Sequence, residues 1–136
     1  MTVRTALITG ASAGLGAEFA RQLADKGLHL VLVARRREPM LRLADEIIDR
    51  TGVRVNILQA DLSKRDAVPK LYKAVQDLEI PVDYLINNAG SAGPDLMDDR
   101  DWTEQQRYFE LMMTSVAGLC HYFIPAMQKR GFGRVL

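Results

Sequence analysis

Short apolar runs alternate along this chain with stretches of helical period. Val3 to Thr9 (VRTALIT) reads as a strand. After a glycine-rich segment, Leu15, Phe19 and Leu23 recur every four residues, which predicts a helix with those three on its buried face. Gly27 is placed to stop it. Leu28 to Ala34 (LHLVLVA) is apolar at nearly every position, as strands covered on both faces are. Glu38 to Arg50 reads as a second helix burying Met40, Leu43, Ala44, Ile47 and Ile48, and Val53 to Asp61 as a third strand. Ser63 and Asp66 have the spacing of a capping box opening a third helix. Val68, Leu71, Tyr72, Val75 and Leu78 share one face of it. Pro81 resets the chain before a fourth strand, Val82 to Ile86. Asn87 to Arg100 is a polar loop. A long helix is expected from about Asp101 to Lys129, kinked or ended by Pro125. Gly131 and Gly133 then mark a turn, and Val135 and Leu136 read as the opening of a fifth strand.

Strict strand–helix alternation with buried strands predicts α/β architecture with a parallel sheet and helices on both faces. Right-handed crossovers make it a doubly wound, Rossmann-type fold, cut off at about the fifth strand. The 136 residues are expected to be one domain, 1–136. The chain is 48% hydrophobic and 26% charged with net charge +1, which gives no footprint for nucleic acid. Arg35, Arg36 and Arg37 are the one basic triplet and too short for such a patch. Cys120 is the single cysteine, so no disulfide forms within the chain and no cysteine-based metal cluster is expected. That usage, with no signal-peptide pattern in the first ten residues, points to a cytoplasmic setting. Leu111 to Gln128 is uncharged over a near-spanning length, but Thr114, Ser115, His121, Pro125 and Gln128 interrupt it. It reads as a helix covered by protein, not a membrane span.

The chemistry concentrates at two places. TGASAGLG, Thr9 to Gly16, lies where a strand turns into a helix. Its glycines let backbone approach a ligand closely, and the helix start offers free N–H groups to a phosphate. Such a loop also serves as plain punctuation, but its place at the first strand-to-helix turn of a doubly wound pattern favours a dinucleotide. No Gly-Lys-Ser/Thr follows, so it is not a Walker loop. At the end of the second strand, where an acidic residue would bind ribose hydroxyls, the chain reads VARRR. A guanidinium there suits a 2′-phosphate, so Arg35 favours NADP over NAD. Arg36 reads equally well as a solvated loop residue.

Four stretches together resemble the classical short-chain dehydrogenase/reductases. TGASAGLG matches the family's Thr-Gly-x-x-x-Gly-x-Gly loop. Asp61–Leu62 matches its adenine-lining pair, NNAG (Asn87 to Gly90) its internal motif, and GRVL (Gly133 to Leu136) the start of its fifth strand. The resemblance implies a cofactor site made of Gly10, Ser12, Gly14, Leu15, Gly16, Arg35, Asp61, Leu62, Asn88, Ala89 and Gly90. It implies hydride transfer between the nicotinamide of NADP and a small-molecule alcohol or carbonyl substrate. It also implies a homo-oligomer formed through the helix 101–129.

The family's catalytic Ser and Tyr-x-x-x-Lys follow its fifth strand. Here Tyr72, Tyr84, Tyr108 and Tyr122 are followed four residues on by Gln76, Asn88, Met112 and Ala126. The expectation is therefore a cofactor-binding half, with no catalytic residue assigned in these 136 positions and no activity alone. The alternative is a non-catalytic dinucleotide-binding module. Counting back from Pro125 puts Met112 where the family has an Asn that supports a proton relay. A thioether donates no hydrogen bond. Trp102, Tyr108, Cys120 and His121 are expected to be structural.

Overall fold

The computed structural model describes residues 2–136. Five strands form one parallel sheet in the order β3-β2-β1-β4-β5. They are β1 (Thr5–Thr9), β2 (His29–Ala34), β3 (Val55–Gln59), β4 (Tyr84–Ile86) and β5 (Arg134–Val135). The helices between them are α1 (Gly14–Asp25), α2 (Arg37–Thr51), α3 (Ala67–Asp77), α4 (Trp102–Phe109) and α5 (Ser115–Arg130). The predicted doubly wound topology is the one observed.

Side chains alternate across the sheet, so apolar residues in unbroken runs supply two cores. Ala6, Ile8, Leu30 and Leu32 face α1 and α2, where Met40, Leu43 and Ile47 meet them. Leu7, Val31, Val33 and Leu85 face α3 and α5, against Leu71, Val75, Leu119 and Phe123. Arg21 on α1 donates to both carboxylate oxygens of Glu46 on α2, at 2.8 and 3.1 Å. Arg50 reaches back to Asp25 at 2.8 Å. These pairs are exposed and add little beside the apolar contact.

Four expectations change. Leu15 is 73% exposed. The buried face of α1 is made by Gly16, Ala17, Ala20 and Ala24, with Phe19 and Leu23 only partly covered. Small residues let this helix lie close on the sheet, and that selects the face over side-chain size. Ile48 on α2 is likewise exposed. Ser63 and Asp66 form no capping box: α3 starts at Ala67, and Asp66 precedes it with no side-chain cap. Of the two readings of Pro125, an end to the helix is excluded: it sits inside α5, which runs on to Arg130 and closes at Gly131 with a left-handed φ of 75°. Trp102 is exposed, with one edge contact to Phe109.

The long helix is also not one helix. Asp101 caps α4 through Oδ1, which accepts from the Thr103 N–H at 2.9 Å. A π-helical turn, Glu110–Thr114, then joins α4 to α5. Such a turn advances the phase of the helix faces and commonly sits beside a functional site. Among the described residues no helix is long and apolar enough to cross a membrane.

Candidate functional site

The strand order reverses between β1 and β4, and a crevice opens beyond the carboxyl ends of the strands at such a point. Here it holds a cavity of about 390 Å³. Its floor is Gly10, Ser12, Ala13 and Gly14, leaving β1. One wall comes from the end of β2, with Arg35 and Arg36, and from Asp61, Leu62 and Ser63 after β3. Asn88, Ala89 and Gly90 after β4, with Leu111 of the π-turn, form the other. A second, more open cavity of about 610 Å³ shares Arg35, Ala60 and Asp61 and extends to Lys64 and Lys70 along α3.

The loop after β1 has room for a ligand because of two different glycine effects. Gly10 has φ +64° and lies so close to the β4 loop that a Cβ would fall 2.8 Å from Asn88 Nδ2. Gly14 also needs a left-handed φ, +55°, yet a Cβ there would meet nothing within 4 Å. Gly16 is buried beneath the Gly10 carbonyl, and its Cβ would collide with Asn88 Nδ2 at 2.6 Å. Ala13 precedes α1 and supplies no side-chain cap. Ala17 is the first residue of α1 whose N–H finds a helical acceptor, the Ala13 carbonyl at 3.3 Å. The N–H groups of Gly14, Leu15 and Gly16 therefore have no partner within the helix.

Thr9 ties this loop to the one after β4. Its Oγ1 accepts from the Asn88 N–H at 3.0 Å and the Ala89 N–H at 2.9 Å, and donates to the Ile86 carbonyl at 3.3 Å. Asn88 Nδ2 donates to the Thr9 and Gly10 carbonyls, each at 3.2 Å. The Asn88 amide nitrogen thus holds the walls of the cavity together with both its donors. Gly90 leaves space that the Met112 thioether approaches, with Sδ 3.1 Å from where a Cβ would stand.

The Arg35 carbonyl accepts from Gln59 Nε2 at 2.8 Å, which anchors its backbone. Its guanidinium is exposed and makes no ion pair among the described residues. Asp61 is half-buried. Burial pushes its carboxyl upward, but the Ser63 hydroxyl and N–H, then the charges of Arg35 and Lys64, outweigh it. The net direction is below the ordinary carboxylate value.

Of the residues picked from sequence, Gly10, Ser12, Gly14, Arg35, Asp61, Leu62, Asn88, Ala89 and Gly90 all border this one cavity. The side chain of Leu15 is exposed and Gly16 lies under the floor, so neither lines the cavity. Thr9, Ser63 and Leu111 join the site only in the structure, and Arg36 borders it too. Thr9 opens the glycine motif and Ser63 follows the Asp61–Leu62 pair, and both carry a polar signal. Leu111 carries none, because a π-turn brings it to the cavity.

The sequence model of the short chain dehydrogenases matches residues 4–136. The chain belongs to this family. It is 39% identical over 140 residues to nodulation protein G of Rhizobium sp. (strain N33), covering all of this chain and 54% of that protein. Among solved structures it resembles L-sorbose reductase from Gluconobacter frateurii, complexed with NADPH and L-sorbose. That likeness has TM-score 0.89 and 31% identity, over 99% of this chain and 51% of the other. It also resembles a short-chain dehydrogenase from Sphingobium yanoikuyae in complex with NADPH. There the TM-score is 0.89 and the identity 33%, over 98% and 52% of the two chains. The chain therefore spans about half the length of these family members.

Proposed function

We propose that this chain binds NADP and forms the cofactor-holding part of a short-chain oxidoreductase acting on an alcohol/carbonyl pair. The observation that carries the reading is a single cavity. It joins the uncapped start of α1 to the unpaired Arg35 guanidinium and to Asp61. The residues fit such a cofactor. The N–H groups of Gly14, Leu15 and Gly16, with Ser12, suit the pyrophosphate. Gly14 gives it unobstructed approach. Arg35 suits a 2′-phosphate, since a guanidinium bonds phosphate in bidentate fashion. Arg36 borders the same wall and adds charge. Asp61 and Leu62 suit the adenine edge and face. Asn88, Ala89 and Gly90 suit the ribose on the nicotinamide side, where the small residues at 89 and 90 leave room.

When bound, the cofactor supplies or accepts a hydride at its nicotinamide. The residues of this chain bind and orient it. None of its four tyrosines has a lysine four positions on to move the accompanying proton. NADPH in complex with two relatives of more than 30% identity supports the choice of cofactor. Titration of the chain with NADPH and with NADH, followed by cofactor fluorescence, tests the reading. Charged hydrogen bonds to a 2′-phosphate predict a preference for NADPH of about ten- to a hundredfold. Equal affinity for the two would overturn the NADP assignment, and binding of neither would overturn the reading itself.

A further inference from the structure

We propose that Ser63 is a positioning residue for adenine recognition, locking one oxygen of Asp61 so that the other is presented to the purine 6-amino group. The inference rests on the nucleotide reading above. Both donors of Ser63 converge on one atom: Oγ donates to Asp61 Oδ1 at 2.6 Å and the backbone N–H to the same oxygen at 3.0 Å. The carboxylate torsion is otherwise broad, so a free Asp61 turns easily about its last bond. Two donors on one oxygen set its plane.

Oδ2 accepts from no group among the described residues, yet it is not sealed in the protein. Asp61 and Ser63 both border the cavity that holds the glycine loop. Arg35 and Lys64 are the cations that face the carboxylate and, with Ser63, keep it ionised against the effect of burial. An ionised carboxylate only accepts hydrogen bonds. A 6-amino purine donates to it from position 6, whereas a 6-oxo purine presents an acceptor there and carries its one donor on this edge, N1–H, one atom away from where the fixed oxygen waits. A site built on a fixed acceptor rejects the analogue that lacks the donor. Ser63 therefore sharpens the choice of base, which is a different task from holding the loop.

The experiment compares the parent chain with Ser63→Ala, Ser63→Gly and Ser63→Thr. The probes are NADPH and its hypoxanthine analogue, in which the 6-amino group is an oxygen, both read by fluorescence titration. The parent is expected to prefer NADPH. Ser63→Ala and Ser63→Gly should each reduce that preference about fivefold, the worth of one net hydrogen bond, chiefly by weakening NADPH. Ser63→Thr keeps the hydroxyl and should restore it. An equal loss for both probes would assign Ser63 to loop structure alone and overturn the proposal. Unchanged selectivity in both variants would overturn it too, while leaving the nucleotide site standing. If the parent binds neither probe, the nucleotide reading fails and this proposal with it.

Discussion

Replacing Thr9 by valine removes a single hydroxyl from a fully buried position while keeping the side chain's shape. That hydroxyl joins the loop after β1 to the loop after β4, accepting from two N–H groups and donating to one carbonyl. In Thr9→Val the Ala89 N–H loses its acceptor, while the Asn88 N–H keeps the Ile86 carbonyl at 3.0 Å. An unsatisfied buried donor costs about 1–3 kcal/mol. Ala89 is half-buried, so we take the lower end, about 1 kcal/mol. Against a whole stability of about 5–15 kcal/mol this is a measurable fraction. Urea unfolding followed by tryptophan fluorescence and circular dichroism measures it, with Thr9→Ser as the control that keeps the hydroxyl. The freed 88–90 loop should also weaken NADPH. A Thr9→Val chain within about 0.5 kcal/mol of the parent, with unchanged NADPH affinity, would refute the latch.

Three further outcomes are expected. Arg35→Asp should lower NADPH affinity about ten- to a hundredfold and leave NADH affinity equal or better, as read by the same titrations; undiminished NADPH binding would remove Arg35 from the site. Gly16→Ala drives a Cβ against the Gly10 carbonyl and Asn88 amide, and neither backbone nor bonded amide yields easily. It should cost about 1–3 kcal/mol in urea unfolding, and a neutral result would show the loop to be softer than its packing implies. Asp61, whose carboxyl is held low in the fold, stabilises the protein above its unfolded pKa of about 3.9, and that contribution is lost as pH falls through the folded value. The gap in urea midpoint between the parent and Asp61→Asn at pH 7 should therefore narrow as pH is lowered below the ordinary carboxylate range; a gap that does not change with pH would show that the carboxylate charge adds nothing.

The sheet was readable because its central strands are apolar on both faces: Thr5 to Thr9 and Leu30 to Ala34 are wholly buried. Edge strands were less distinct. β3 is only half-buried, and its predicted limits ran two residues too far at each end. On α1, periodicity in large residues pointed to Leu15, whereas close packing chose alanine and glycine. Ser63 carried a helix-start signal but spends its hydroxyl on Asp61 instead. The π-turn left no trace in the hydrophobic pattern, so Leu111 and the Met112 contact with Gly90 were invisible until the backbone was seen. At the site, the motifs located the cavity. They missed Thr9 as a latch because its role depends on a loop far along the chain.

That distance has a kinetic meaning. β1 pairs Thr5 with His29 on one side, but Ala6 with Tyr84 on the other, across roughly three times as much chain. Closing the longer loop costs about 1 kcal/mol more entropy. Contacts of greater sequence separation slow folding, so docking of β4 on β1 is expected among the slower events. The nucleotide cavity straddles that seam. A ligand seated there would engage a surface finished only when the seam closes, and would act mainly as a brake on unfolding rather than as an accelerator of folding. Among the described residues, the two sides of the central strand thus differ in history although they share one register.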